Sequence, residues 1–131
     1  MRKTVFALLL MGFVACFYGC SQQTNWNQYL GPHRNASISG SEILKSWEEK
    51  GPKELWSFPL GVGYGGASIY GDEVFILDRS SGESDILRCI DLLSGEEKWS
   101  YSYEAKGEIS FPGSRAVPTV DKNYIWSVGP H

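Results

Sequence analysis

The chain has 131 residues, one domain's worth, with a net charge of −3, 42% hydrophobic residues and 14% aromatic residues. That apolar content rules out a wholly disordered chain, and the acidic balance argues against a nucleic-acid binder, which would carry a basic patch. Fifteen glycines and five tryptophans point to a turn-rich β protein, while three cysteines are too few for a disulfide framework.

The N-terminus reads as an export signal. Arg2 and Lys3 precede an uncharged, almost wholly apolar run of fourteen residues, Val5 to Tyr18. A membrane-spanning helix needs about twenty residues, whereas a secretory apolar region needs roughly seven to fifteen. Gly19-Cys20 closes the run, and Ser21-Gln22-Gln23-Thr24 is abruptly polar. An apolar run, a small residue and a cysteine resemble a bacterial lipobox. The resemblance implies a signal over residues 1–20 and a lipid on Cys20, the first mature residue. Cys16 is the rival site, although apolar Phe17 and Tyr18 follow it. The mature chain then carries ten basic and fifteen acidic residues. A lipid anchor holds a protein at a membrane without a spanning segment. The third cysteine, Cys89, lies in an expected strand and reads as a small core residue.

Residues 21–53 read as an N-terminal arm. Gly31-Pro32 is a turn signal. Ser41 to Lys50 is expected to form one or two helical turns, with Ser41 as the cap and Ile43, Leu44 and Trp47 on one face. From Leu55 onward, short apolar runs alternate with Gly, Asp and Ser. Strands are expected at Leu55 to Leu60, Ala67 to Tyr70, Glu73 to Asp78, Ile86 to Leu92 and Lys98 to Tyr103. The turns between them fall at Gly71-Asp72, Ser80-Ser81-Gly82 and Ser94-Gly95.

Internal repetition narrows the choice of fold. Glu54-Leu55-Trp56-Ser57-Phe58 recurs as Glu97-Lys98-Trp99-Ser100-Tyr101, forty-three residues later. Ser68 to Ile76 recurs loosely as Pro118 to Trp126 at an offset of fifty. A repeat of about forty to fifty residues built of four strands is the period of a propeller blade. The expected fold is all-β: the last strand of one blade at 54–60, a complete blade at 66–103 and the first half of another at 115–131. Propellers typically close with about four to eight blades. The sequence is therefore expected to be the N-terminal part of a longer protein, and a small oligomeric propeller is the alternative.

Cys89-Ile90-Asp91-Leu92-Leu93-Ser94-Gly95-Glu96-Glu97-Lys98-Trp99 resembles the blade motif of pyrroloquinoline-quinone-type β-propellers. In that motif, Asp91 and Ser94 can bond the turn backbone, and Gly95 allows a positive φ. Trp99, like Trp56 one repeat earlier, offers a flat surface that can pack between blades. The span from Trp26 onward is also similar to exported quinone-binding-like proteins and to the outer-membrane assembly lipoprotein of the Bam complex. That resemblance implies a lipoprotein of a Gram-negative outer membrane, facing the periplasm or the cell surface. It further implies a scaffold or binding module whose partners are other envelope proteins.

Quinoprotein dehydrogenases share this fold, and such an oxidoreductase acting on alcohols or sugars is the alternative. Pyrroloquinoline quinone and calcium belong only to that alternative, and their ligands would lie largely in further blades. The chain has no Cys-Cys pair, and Asp72, Asp78, Asp85 and Asp91 read as turn residues. His33 and His131 have no neighbour at metal-ligand spacing. Gly61-Val62-Gly63-Tyr64-Gly65-Gly66 lacks the Lys and following helix of a phosphate loop, and reads as a crossing between blades. Arg115, at the start of an innermost strand, is the candidate channel-lining residue, for an anionic ligand or for an ion pair. No catalytic, cofactor-binding or metal-binding residue is assigned. A carbohydrate-binding role is permitted by the aromatic content.

Overall fold

The computed structural model describes residues 25–38, 44, 46–80, 83–106 and 112–129. All regular structure among them is β. Four strands form one antiparallel sheet in chain order: β1 (Ser68–Tyr70), β2 (Glu73–Ser80), β3 (Ser84–Asp91) and β4 (Glu97–Glu104). Two short strands, β5 (Thr119–Val120) and β6 (Ile125–Trp126), make a second antiparallel pair. Neither sheet closes on itself.

Three hairpins follow from their turn chemistry, while residues 81–82 of the expected Ser80-Ser81-Gly82 turn lie outside the described residues. Gly71, with φ at 62°, and Asp72 turn β1 into β2. Asp91 turns β3 into β4, its Oδ1 accepting from the backbone of Leu93 at 3.0 Å and of Ser94 at 2.8 Å. Asp121 repeats the device in the second sheet, accepting from Asn123 and Tyr124 N–H groups at 2.7 and 2.8 Å. A short carboxylate mimics a backbone turn in this way, which is why Asp recurs at these positions.

The alternation of side chains sorts the sheet into two faces. Phe75, Leu77 and Arg79 lie opposite Cys89, Leu87 and Asp85, which lie opposite Trp99, Tyr101 and Tyr103. This face receives the second sheet: Phe75, Cys89 and Val120 form a buried cluster, with Tyr70 and Ile125 packed against it. Burial of Phe75 and of Val120 contributes about 1.5–3 kcal/mol each relative to exposure. The other face carries Asp78 and Arg88 and is crossed by residues 56–61. There, the Phe58 ring lies 5.8 Å from the Arg88 guanidinium, and the Gly61 amide donates to Asp78 Oδ1 at 2.8 Å. With chain on both faces, β2 is buried through Val74, Phe75, Leu77, Asp78 and Arg79. Its uninterrupted apolar run is the pattern of a strand covered on both sides.

Two expectations differ from what is observed. No helix occurs among the described residues of 41–50, where Leu44 and Trp47 are exposed and bury no apolar stripe. So short a helix needs tertiary burial to persist. Instead, Gly51 donates to the Glu48 carbonyl at 2.8 Å and closes a turn. Ser41 lies outside the described residues. Residues 54–60 form no ladder either. No described strand lies along them, so they lie over the sheet face through Trp56 and Phe58.

Candidate functional site

The expected turn motif assembles as a socket. Asp91 accepts from Ser94 through both backbone and hydroxyl, and from Leu93. These bonds, those from Ser94 foremost, hold its carboxyl below the usual carboxylate range. Gly95 follows with φ at 75°, and the Trp56 indole lies directly on it. Trp56 Nε1 donates to the Leu92 carbonyl at 2.9 Å. A residue from the preceding repeat is thereby docked on the turn of the next. Because the Asp91 pKa is depressed on folding, its contribution is present above the unfolded value of about 3.9 and is lost as pH falls through the folded value. Ser94→Ala is expected to raise the Asp91 carboxyl titration, read by NMR. An unchanged titration would mean that the hydroxyl and the turn it supports do not set it.

Trp99, at the equivalent position one repeat later, sits differently. It is half-exposed on β4, with its ring 6.1 Å from that of Phe75. Together with Tyr70, Glu73, Val120 and Tyr124 it lines a cleft of about 210 Å³ between the two sheets. Tyr101 continues the aromatic row outward and is exposed. Arg115 does not line this cleft. It is exposed, in the segment leading to β5, where Gly65 runs against the Arg115 and Ala116 backbone. A Cβ at Gly65 would lie 2.5 Å from the Ala116 carbonyl oxygen. The glycine run thus serves close approach of two chain segments, with Gly63 bridged to Ser114 in parallel.

Two of the four aspartates read as turn residues are not in turns. Asp78 and Asp85 sit inside strands, 4% and 0% exposed. Asp85 Oδ1 accepts from Arg79 Nη1 at 2.6 Å, and Arg79 Nη2 donates to the Ala105 carbonyl at 2.6 Å. Tyr103 Oη donates to Asp85 Oδ2 at 3.3 Å, and burial first, with the Asp85 charge adding to it, pushes the phenol above its ordinary value. Asp78 Oδ2 accepts from Arg88 Nε at 2.8 Å, and Arg88 Nη1 donates to Glu97 Oε2 at 2.6 Å. The correction has a physical reason: a buried carboxylate needs a cation and full hydrogen bonding, and the facing strands supply both. The available signal was an arginine on each strand of the β2–β3 hairpin, Arg79 six positions from Asp85 and Arg88 ten positions from Asp78.

These acids are committed to arginines. Among the described residues, no three His, Cys, Asp or Glu side chains converge to hold a metal ion. Cys89 is fully buried, and burial pushes its thiol up to about 11, so it is an inert core group. His33 is exposed in the arm. Cys16, Cys20 and His131 lie outside the described residues. Sequence reading missed both arginine–aspartate pairs and the contacts of Asn25, Trp26 and Asn27 described below. Comparison with family profiles, curated proteins and solved structures finds no match for this chain.

Proposed function

We propose that the two sheets are successive blades of an exported β-propeller that acts as a non-enzymatic scaffold or binding module at the cell envelope, held there by a lipid on Cys20. The observation that carries this reading is the docking of Trp56 on the Gly95 turn, with Trp99 at the equivalent sequence position one period later. A tryptophan that leaves its own repeat to bond the next one is a stacking device, and stacking of repeats is how such proteins bury their faces. In support, the four-stranded sheet is covered on one face by the preceding segment and on the other by β5–β6. Partners are other envelope proteins, which can add to the exposed β4 edge through backbone bonds.

The test uses the full-length gene product. Titration with pyrroloquinoline quinone and calcium, followed by absorbance and by dye reduction with simple alcohols, is expected to give neither saturable binding nor turnover. Saturable binding with turnover would replace the scaffold with a quinoprotein dehydrogenase. In the same preparation, Cys20→Ser is expected to release the protein from the membrane fraction and Cys16→Ser to leave it bound. The reverse would move the anchor to Cys16.

A further inference from the structure

Asn25, Trp26 and Asn27 hold both sheets at once. Trp26 N–H donates to the Ile69 carbonyl at 3.0 Å, and Ile69 N–H donates to the Trp26 carbonyl at 2.8 Å. Asn25 Oδ1 accepts from the Gly71 amide at 2.8 Å. On the second sheet, Val120 N–H donates to the Asn27 carbonyl at 2.9 Å, and Asn27 Nδ2 donates to the Val120 carbonyl at 2.9 Å. Ile69 belongs to β1 and Val120 to β5, the first strand of each unit. The bonded edges are the ones that β2 and β6 leave open.

The segment is shaped to stop there. Immediately after Asn27 the chain folds into a knob bonded to itself: Gly31 donates to the Gln28 carbonyl, Ala36 to the Leu30 carbonyl, both at 2.9 Å, and Arg34 Nε to Gln28 Oε1 at 3.2 Å. Leu30, Arg34 and Ala36 all take positive φ, which side-chain-bearing residues adopt only where surrounding bonds hold them. The Trp26 ring packs on Gly31, where a Cβ would come within 2.8 Å. The knob fixes the register, so the strap meets one residue of β1 and one of β5 and cannot slide.

An open strand edge is a template for another chain. We propose that residues 25–27 are a built-in donor strap, stopped by the knob that follows: the arm occupies the open edges of β1 and β5, ties the two units together and denies those edges to other chains. This rests on the propeller reading in one respect only, that these edges face the ring axis. Strand addition by partners is then directed to β4, and an arm that cannot pair turns the inner edges into self-associating ones.

The test is residue-resolved amide exchange on the full chain. Ile69, Gly71 and Val120 amides are expected to be protected to the level of β2 and β3, independently of protein concentration. Trp26→Pro removes one donor of the strap. It is expected to speed exchange at those three amides at least tenfold, leave Phe75 and Leu87 unchanged, and produce concentration-dependent self-association. Unprotected Ile69 and Val120 amides in the unaltered protein would overturn the proposal, as would a Trp26→Pro chain that keeps them slow. Protection that grows with concentration would place the strap on a second copy and overturn the intramolecular form. Should Trp26→Pro accelerate β2 and β3 as well, Asn27→Ala decides. Loss of its side-chain bond to the Val120 carbonyl loosens the strap at β5 and should speed the Val120 amide about threefold or more, and no change there sinks the idea. Neither blade number nor quinone binding affects these amides, so this proposal and the propeller reading fail separately.

Discussion

Gly95→Ala is expected to destabilise the protein by about 2–4 kcal/mol, measured by chemical denaturation, because two costs add there. The backbone sits at φ 75°, where an L side chain is strained. The new Cβ would also lie 2.6 Å from the Trp56 ring, and that ring is fixed by its bond to Leu92. Gly71 provides the control within the same molecule. Its φ is 62°, but nothing lies within 4 Å of a Cβ built on it. Gly71→Ala should therefore show the backbone cost alone, about 1 kcal/mol. Placing Gly95→Ala in a Trp56→Ala background should remove the steric part and bring its cost down to the Gly71 value. Equal costs at the two glycines would mean that Trp56 is not seated on the turn.

The second large effect belongs to the buried pair. Asp85→Asn is expected to cost about 3–5 kcal/mol, since it leaves the Arg79 guanidinium charged and uncompensated in the interior. Both side chains are almost completely buried, at 2% and 0% exposure, so water cannot replace the lost partner. Replacing both residues together, Arg79→Met with Asp85→Leu, should recover most of the loss, because attraction between buried charges largely offsets their own desolvation. A single Asp85→Asn cost below about 1 kcal/mol would place the pair in the class of solvated surface bridges. Lys98 and Glu73, paired at 2.6 Å with both side chains partly open to solvent, provide that comparison.

How much could be read beforehand follows from where each interaction is encoded. The strands from 68 to 104 were legible because the sequence sets a Gly, Asp or Ser turn signal between each apolar run and the next, and hairpin chemistry is local. The turn at Asp91, Ser94 and Gly95 was legible for the same reason, and so was Cys89 as a core residue. Ser41 to Lys50 misled because its apolar spacing suits a helix, while Leu44 and Trp47 face solvent and no packing selects the helical state. Asp78 and Asp85 were misread because turn preference is a property of the residue, whereas burial beside Arg88 and Arg79 is a property of the facing strand. Trp56 was recognised as a packing residue, but its seat is 36 positions away in sequence, beyond any local pattern. The Asn27 contact with Val120 left no periodic trace at all.

The separation between those last two residues has a consequence in time. Asn27 and Val120 are 93 positions apart. At a synthesis rate of about 5–20 residues per second, the arm exists for roughly 5–20 seconds before its second anchor has been made. During that interval β1 to β4 can form from neighbouring hairpins, while the arm can engage β1 alone. The first described segment of the chain is thus the last to find its full set of partners, and the two units become joined only when β5 arrives to complete the clasp.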